Sequence, residues 1–308
     1  TGIKAVLKAQ PNYWGEGPYL DSVEFIDFGD DPAAAMGAIA SQQVHGLYEI
    51  DMVQLPTLQQ LDHIEIYSVA NSNTGVARTK VNQKPFDDPK VRMALRLAVD
   101  PEAVKQTVFQ EYGMVAEHHH ICPIHEDYAE LPKLQRDLEK AKKLLAEAGF
   151  ADGIDTEIAC KTDPAWELKA VQVMVEQWKE AGIRVKINNM PSAQFWDVWD
   201  KVPFGFTSWA HRPIGLMVLE QAYRSGVAWN ESEFANEEFD KLLDEAGRVA
   251  DPIERRKVMA KLETIMQQEG PVTQPVWRPS MTAYDKRIKG FKMHPARSIF
   301  VEQIALES

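Results

Sequence analysis

The spacing of hydrophobic and polar residues changes twice along the 308-residue chain. As far as Asn82, alternating or β-branched apolar positions predominate, as in DSVEFIDF and HIEIYSVA, and this pattern is typical of strands. After Asn82, apolar residues recur every three or four positions and predict long amphipathic helices. From Pro271 onwards, short apolar runs such as VTQPVW predict strands again. The pattern therefore predicts an α/β fold with a strand-rich start, a helix-rich middle and a strand-rich end.

Most of the predicted helices carry their own start and stop signals. Asp88–Pro89 and Asp100–Pro101 each place a capping side chain before a proline that fits the first helical turn. Gly149 and Gly182 each follow a helical stripe, at the position where a left-handed residue ends a helix. A short helix is also predicted in the first part of the chain, starting at Asp31–Pro32.

The order of the elements predicts the topology. One helix lies between two predicted strands, TEIACK and RVKINNM, and such a unit predicts a parallel crossover. The simplest arrangement is a helix-rich middle inserted into a domain that is made from both ends. We predict that residues 1–82 form part of a first domain, that residues 83–278 form a far lobe, and that residues 279–308 return to the first domain.

Composition and charge narrow the class of protein. With 44% hydrophobic and 26% charged residues, the chain resembles an ordinary globular protein. A net charge of −12 argues against nucleic acid as a partner, because phosphates require a basic surface. No stretch approaches the roughly 20 consecutive apolar residues of a membrane span. The first residues, TGIKAVLKAQ, are not a signal peptide, although a mature exported protein would lack one too. Cys122 and Cys160 either form one disulfide or remain free, partly buried thiols.

The sequence lacks the usual signatures of catalysis. The motifs G-x-S-x-G and H-E-x-x-H and a glycine-rich phosphate loop do not occur. The acidic residues lie three or four positions from Lys or Arg, as in LEKAKKLLAE, which is typical of solvated helix faces. We therefore predict that the protein is not an enzyme and that it holds no cofactor.

The segment EHHHICPIHED concentrates histidines and acids. On an extended chain His118 and His120 would share one side and His119 would point to the other. Cys122 and His125 add donors, but a structural zinc site needs four converging ligands, and no second His/Cys cluster occurs. No metal site is predicted here. Two interpretations stay open: the histidines line a pocket, or the segment is a solvated loop.

Several longer stretches, taken in order, carry a family resemblance. They are NYWGEGPYLDSVEF, VNQKPFDDPKVRMALRLAVDPEAV, EKAKKLLAEAGF, KEAGIRVKI, NEEFDKLLDEA and RRKVMAKLETIMQQEGPVTQPVW. Together they resemble the extracytoplasmic solute-binding proteins of the peptide/nickel family (oligopeptide-binding, family 5), which feed ABC importers. The resemblance implies a type II periplasmic-binding-protein-like fold with two lobes.

The resemblance also implies properties of the whole protein. Relatives begin well upstream of the YWG segment, so we expect a C-terminal portion whose N-terminal part is missing and whose residues 1–82 belong to the hinged first domain. The implied function is capture of a small solute for the membrane permease of an ABC importer, without catalysis. The implied location is the periplasm, and the implied state of the full-length protein is a monomer.

The family likeness also points to one segment as the ligand site. In these proteins the strand before a variable loop supplies an aromatic wall, and here that position is TSWAHRPIG, with Trp209. Peptide-binding relatives place an Asp a few residues later, where it pairs with the amino terminus of the ligand. This chain has His211 and Arg212 instead, and a guanidinium suits a carboxylate or phosphate. We therefore predict that these three residues contact a peptide-like or anionic solute. The alternative is that Arg212 pairs with a neighbouring acid and only holds the loop.

Two further segments are candidates. SGVAWNES either adds Trp229 and Asn230 to the site or is a loop that Trp229 anchors. In the relatives the loop after the second helix runs towards the ligand, so His118, His119 and His120 are predicted to bind ligand. Because some relatives carry nickel or haem, the alternative function is the binding of a metal or metal chelate through this loop.

Overall fold

The computed structural model describes residues 4–29 and 32–307, and the chain divides into two compact units. The first unit comprises Thr1–Val69 and Ser280–Ser308, and the second comprises Ala70–Pro279. The border after Val69 falls earlier than the predicted one after residue 82, because the chain changes units within a continuous strand. The assignment of residues 1–82, 83–278 and 279–308 to domains of the whole protein stays a prediction.

The helices and strands are named in chain order. They are β1 (Lys4–Lys8), β2 (Ser22–Ile26), α1 (Pro32–Ala40), β3 (Gly46–Leu47), α2 (Leu55–Leu58), β4 (Ile64–Thr79), α3 (Pro89–Ala98), α4 (Pro101–Val108), β5 (Met114–Val115), α5 (Leu138–Glu147), β6 (Ile154–Lys161), α6 (Ala165–Glu180), β7 (Ile183–Met190), α7 (Ser192–Trp196), β8 (Phe204–Trp209), α8 (Gly215–Ala222), α9 (Glu237–Arg248), α10 (Pro252–Glu269), β9 (Val272–Thr273), β10 (Val276–Asp285), β11 (Ile288–Lys289) and β12 (Ala305–Leu306).

The first unit is mainly built from short antiparallel pairs. Strands β1 and β2 form a hairpin, and the end of β10 pairs with β3. The Tyr284 and Phe291 rings stack at 4.0 Å between centroids. Near the end of the chain, Val301–Gln303 form a 3-10 helix before the short strand β12. The predicted cap of α1, Asp31, lies outside the described residues.

The second unit contains a mixed sheet in the order β9-β4-β8-β6-β7. Strands β6 and β7 are parallel from Ile154 opposite Ile183 to Lys161 opposite Met190, and α6 connects them. The predicted parallel crossover is therefore confirmed. Strand β8 is parallel to β6 and antiparallel to β4. The start of β10 pairs with β5 outside this order.

The sequence signals at the helix ends act as predicted. The Asp88 carboxylate accepts a hydrogen bond from the Lys90 amide at 2.8 Å and begins α3, and Asp100 begins α4 in the same way. Gly149 and Gly182 have φ values of 90° and 85° just after α5 and α6. These values lie in the left-handed region, where glycine is favoured because it has no Cβ.

The apolar stripes of the helices pack on the sheet of the second unit. Trp178 of α6 is buried against Phe204 of β8, and its indole N–H donates to the Leu95 carbonyl at 2.9 Å. Helices α8, α9 and α10 share a core cluster with Trp209 and with Val76 of β4. This packing holds the end of β8, where the candidate site begins.

The N-terminal cap of α10 provides a direct test of how these short sequence signals begin a helix. Asp251 accepts hydrogen bonds from the amides of Ile253 and Glu254 at 2.8 and 3.1 Å. We expect Asp251→Ala to lower the free energy of unfolding by about 1 kcal/mol, as measured by urea titration, because two helix donors lose their partner. Asp251→Asn should keep most of the stability, since Asn caps equally well. An equal loss in both variants would contradict the capping role.

Candidate ligand-binding site

The parallel strands of the second unit end at one edge of its sheet. Lys161, Met190 and Trp209 are the last residues of β6, β7 and β8, which run in the same direction. In α/β sheets, ligands bind outside the carboxyl ends of the strands, where the following loops and helix starts converge. The side chains at this edge are therefore the candidates for contact with a ligand.

Two predicted aromatic residues meet at this edge. The rings of Trp209 and Trp229 contact edge to face, with centroids 6.0 Å apart at an angle of 65°. Trp209 is only 7% exposed, whereas Trp229 is 49% exposed. A planar ring provides a large contact area and packs well against another planar group. Trp229 thus presents the aromatic surface and Trp209 supports it.

A buried acid that the sequence analysis missed fixes the Trp209 ring. The Glu231 carboxylate accepts hydrogen bonds from the Trp209 indole at 3.2 Å, from the Thr207 hydroxyl at 2.6 Å and from the Arg78 guanidinium at 2.9 Å. Both charged side chains are buried. Arg78 lies 153 positions away in the sequence, so no local pattern marks Glu231 as its partner.

The segment after Trp209 is held by its main chain. The His211 ring accepts from the Ser72 amide at 3.2 Å, and the His211 amide donates to the Asn73 side chain at 2.5 Å. The Arg212 guanidinium donates to the Gln221 amide oxygen at 2.9 Å and to two main-chain carbonyls nearby. Within the described part of the chain, these hydrogen-bond acceptors are all neutral. Among the described residues Arg212 therefore forms no ion pair with an acid, unlike the alternative prediction, although its guanidinium does bond to its own loop.

Asn230 serves its own loop. Its amide nitrogen donates to the carbonyls of Arg224 and Phe234 at 3.1 and 2.7 Å, and its amide oxygen accepts from Ser232 and Phe234. These bonds explain why Asn230 is buried, and its contact with ligand stays a prediction. The same loop borders a surface cavity of about 320 Å³.

The three consecutive histidines are buried, and each ring contacts protein groups. His118 accepts from the Gln274 amide at 3.0 Å, and His120 bonds to the Tyr223 hydroxyl at 2.7 Å. His119 accepts from the Ile121 amide at Nδ1, so its Nε2 carries the hydrogen and donates to a Glu117 oxygen at 3.0 Å. The predicted extended alternation is wrong, because His118 and His120 both have φ near 63°. Ligand binding by these three residues stays a prediction.

Burial controls the ionisation of this region. Desolvation lowers the pKa of His118 and of His120 to about 3, so both rings are neutral at pH 7. Desolvation alone would raise the pKa of Glu117, but hydrogen bonds from His119, Lys133 and Tyr128 lower it to about 2. Glu263 has few such donors, and burial raises its pKa to about 9. The segment is therefore a buried network of neutral imidazoles around one ionised and one protonated carboxyl group.

The predicted absence of a metal site can be compared with the geometry. In residues 4–29 and 32–307, no group of three or more His, Cys, Asp or Glu side chains is arranged to hold a metal ion. Cys122 and Cys160 are both free and buried, and burial raises the pKa of each thiol to about 12. Among the described helices, none has the length and apolar character needed to cross a bilayer.

The edge also carries a buried ion pair that the sequence analysis missed. The Lys161 ammonium lies 3.0 Å from a Glu167 oxygen and donates to the Ser208 hydroxyl at 2.9 Å. It also sits 4.5 Å from the centre of the half-exposed Trp196 ring, a distance suited to a cation–π contact. Burial raises the pKa of Glu167 to about 7. Lys161 is the last residue of β6. A charged residue at the end of an otherwise buried strand is the one local signal in the sequence that could have identified it.

Comparison with solved structures defines the class of fold. The ABC transporter substrate binding protein CtaP of Listeria monocytogenes matches 99% of this chain with a TM-score of 0.90 at 19% identity, and the chain covers 64% of that protein. NikZ of Campylobacter jejuni, solved in complex with Ni(L-His), matches 98% of the chain with a TM-score of 0.83 at 18% identity, and 65% of that protein is covered. The chain therefore has the predicted periplasmic-binding-protein-like type II fold.

Sequence comparison then identifies the family. The sequence model "Bacterial extracellular solute-binding proteins, family 5 Middle" matches residues 1–218, which is more than half of the chain. The chain belongs to this family, as its motifs predicted. It is 25% identical over 320 residues to the glutathione-binding protein GsiB of Escherichia coli K12. That alignment covers 98% of this chain and 61% of the length of GsiB.

Proposed function

We propose that this chain forms part of an extracytoplasmic protein that captures a small solute, peptide-like or anionic, for an ABC importer. The solute contacts the strand edge of the second unit through Trp209, His211, Arg212 and Trp229. No bond is made or broken, and the captured solute is passed to the membrane permease. The protein acts in the periplasm or outside the cell, as the description of its family suggests.

The observation that carries this proposal is the state of Arg212. Its guanidinium lies just after β8 and donates only to neutral acceptors among the described residues. It lies close enough to His120 for its charge to contribute to the lowered pKa of that ring, and His120 packs against Trp209 at 5.6 Å. A positive group with open donor capacity near an exposed aromatic ring suits a solute that combines a carboxylate with apolar atoms.

The similarity to a glutathione-binding protein supports the same class of solute. Glutathione is a tripeptide with two carboxylates, so it is both peptide-like and anionic. The 25% identity to GsiB supports this class rather than one particular solute. Glutathione is therefore the first probe to use.

Removal of the Arg212 charge tests the proposal. We expect Arg212→Gln to weaken the binding of glutathione about 10- to 100-fold by calorimetry on the full chain, because a hydrogen bond to a charged group contributes about 1.5–3 kcal/mol. Arg248→Gln is the matched control, since Arg248 is an exposed residue at the end of α9. Glutathione diethyl ester, which lacks both carboxylates, should bind wild type weakly and be insensitive to Arg212→Gln. Equal affinities for the acid and the ester would contradict recognition of an anion.

The alternative, binding of a metal or metal chelate through His118–His120, predicts different results. The rings are buried and bonded to protein groups, which supports a role inside the protein over a role as ligands. If Ni²⁺ with L-histidine binds and His119→Gln abolishes this binding, the alternative replaces the proposal.

A further inference from the structure

The second half of the segment EHHHICPIHED contacts the candidate site. His125 and Asp127 are buried, and both contact the main chain of the segment that carries Arg212. They are more than 80 positions from it in the sequence. The three buried histidines before them form hydrogen bonds with Gln274, Glu117 and Tyr223 instead. The two halves of the segment therefore bond to different parts of the protein.

The tautomer of His125 is fixed by its own turn. Its Nδ1 accepts from the Cys122 amide at 3.1 Å, and its main-chain amide donates to the Cys122 carbonyl at 2.9 Å. With Nδ1 acting as the acceptor, Nε2 carries the hydrogen. That hydrogen is donated to the Arg212 carbonyl at 2.9 Å. The turn from Cys122 to His125 thus directs the Nε2 hydrogen of His125 at Arg212, the residue that is proposed to bind the solute.

Asp127 supplies the cap that α8 lacks in its own sequence. The residue before α8, Ile214, has no capping side chain. The Asp127 carboxylate accepts from the amides of Gly215 and Leu216 at 3.1 and 3.3 Å, and Arg255 lies 3.4 Å away on its other side. A Cβ on Gly215 would lie 3.0 Å from the Asp127 oxygen, so a larger residue there would require the carboxylate to shift by a few tenths of an ångström. The start of α8 is therefore set from a distant segment.

A third residue holds Arg212 from strand β4. The Ser72 hydroxyl lies 2.9 Å from both the amide and the carbonyl of Arg212. The side chain of Arg212 then bonds to Gln221, which belongs to the helix that Asp127 caps. Ser72 thus holds the main chain of this one arginine, and Gln221 holds its guanidinium.

We propose that His125 and Asp127, together with Ser72, are positioning residues that hold Arg212 in its solute-binding orientation before the solute arrives. This inference rests on the proposed role of Arg212. A preorganised site loses less conformational freedom on binding, so affinity depends on residues outside the contact surface. The three consecutive histidines of EHHHICPIHED form no hydrogen bond with Arg212; their rings bond to Gln274, Glu117 and Tyr223.

Hydrogen exchange of residues 211–217, followed by mass spectrometry on the full chain without solute, tests the inference. His125→Leu should accelerate exchange in this segment about tenfold or more, while β6 and β7 stay protected. His125→Gln should restore slow exchange, because its amide nitrogen can donate to the Arg212 carbonyl. His119→Leu is the matched control: it removes a buried histidine of the same segment that bonds to Glu117, so it should leave residues 211–217 slow.

Ser72→Ala provides a second variant if His125→Leu does not fold. It should accelerate hydrogen exchange in the same residues, because it removes the contact between Ser72 of β4 and the main chain of Arg212. Unchanged exchange in a folded variant, or equal acceleration in His119→Leu, would overturn the inference. Glutathione affinity measured in parallel separates the two proposals. If wild type binds glutathione and His125→Leu changes neither exchange nor affinity, positioning fails and the proposed function stands. If hydrogen exchange of residues 211–217 responds as expected but neither wild type nor any variant binds glutathione, the proposed solute is wrong and the positioning of Arg212 stands.

Discussion

Replacing Glu231 with alanine is expected to lower the free energy of unfolding of the second unit by about 3–5 kcal/mol. Glu231 is 4% exposed and its partner Arg78 is fully buried. The remaining bonds of Arg78 go to the main-chain carbonyls of Val202 and Trp199, which are neutral. Removal of the carboxylate leaves a buried guanidinium with no opposite charge and also takes the acceptor from the Trp209 indole. Urea unfolding, followed by tryptophan fluorescence, measures the loss.

Three further variants separate the sources of this loss. Glu231→Gln keeps an acceptor for Trp209 and Thr207 but removes the charge, so it should remain strongly destabilised. Arg78→Met combined with Glu231→Leu should be less destabilised than Glu231→Ala, because no unpaired charge remains buried. Glu233→Ala, two residues away and more than half exposed, should cost less than about 1 kcal/mol even though Lys80 lies 3.6 Å from its carboxylate. A similar loss for Glu231→Ala and Glu233→Ala would show that the buried pair does not matter.

Acid is expected to destabilise the second unit steeply below pH 4.5. The pKa values of His118 and His120 fall from 6.5 to about 3 on folding, so the unfolded chain binds protons first and stability is lost as the pH drops from 6.5 to 3. Each of these histidines contributes a loss of about 1.4 kcal/mol per pH unit in that window. The pKa of Glu117 falls from 4.5 to about 2, so its contribution is lost below pH 4.5.

Two glutamates oppose this effect above pH 4.5. Burial raises the pKa of Glu167 to about 7 and that of Glu263 to about 9, from an unfolded value of 4.5. The folded chain takes up these protons first, so acidification towards pH 4.5 favours the folded state through them. The opposite signs should offset part of the histidine loss between pH 6.5 and 5, to which His119 and His125 also contribute because burial lowers the pKa of each. Below pH 4.5 the glutamates no longer compensate, and the histidine loss is fully expressed.

Urea midpoints at half-unit steps from pH 6.5 to 3.5 measure both windows. His120→Asn removes one titrating ring while it keeps a polar atom near Tyr223, so its stability should fall less steeply, by about 1.4 kcal/mol per pH unit. Glu263→Gln should remove part of the compensation and make the unit more acid-sensitive above pH 4.5. Identical pH profiles for wild type and His120→Asn would refute the assignment of the acid response to buried imidazoles.

The parts of the fold that the sequence predicted are those with local causes. Asp88 and Asp100 cap the helices that follow them, and Gly149 and Gly182 end helices, because each acts within one turn of its own position. The crossover from β6 to β7 follows from the order of three short elements. Family membership followed from motifs that combine such local signals over most of the chain.

The site was less predictable because its causes lie far apart in the sequence. The predicted strand HIEIYSVA continues in β4 as far as Thr79, through the polar residues Asn71–Asn73, whose burial depends on partners such as His211 and Arg212. The role of the histidines depends on Gln274 and Tyr223, each more than 100 positions away. Glu231 and Lys161 are buried charges that only their partners explain. The family resemblance, rather than a local pattern, pointed to Trp209 and Arg212, and their contact with ligand stays a prediction.

The close fit around Gly215 has a consequence for redesign. A Cβ there would lie 2.9, 3.0 and 3.1 Å from side-chain atoms of Ile121, Asp127 and His125, so any larger residue at position 215 requires these neighbours to shift. Pro213, Ile214 and Met217, in contrast, are solvent-accessible. A mutant library that aims to change the bound solute should therefore keep glycine at position 215 and vary residues 213, 214 and 217.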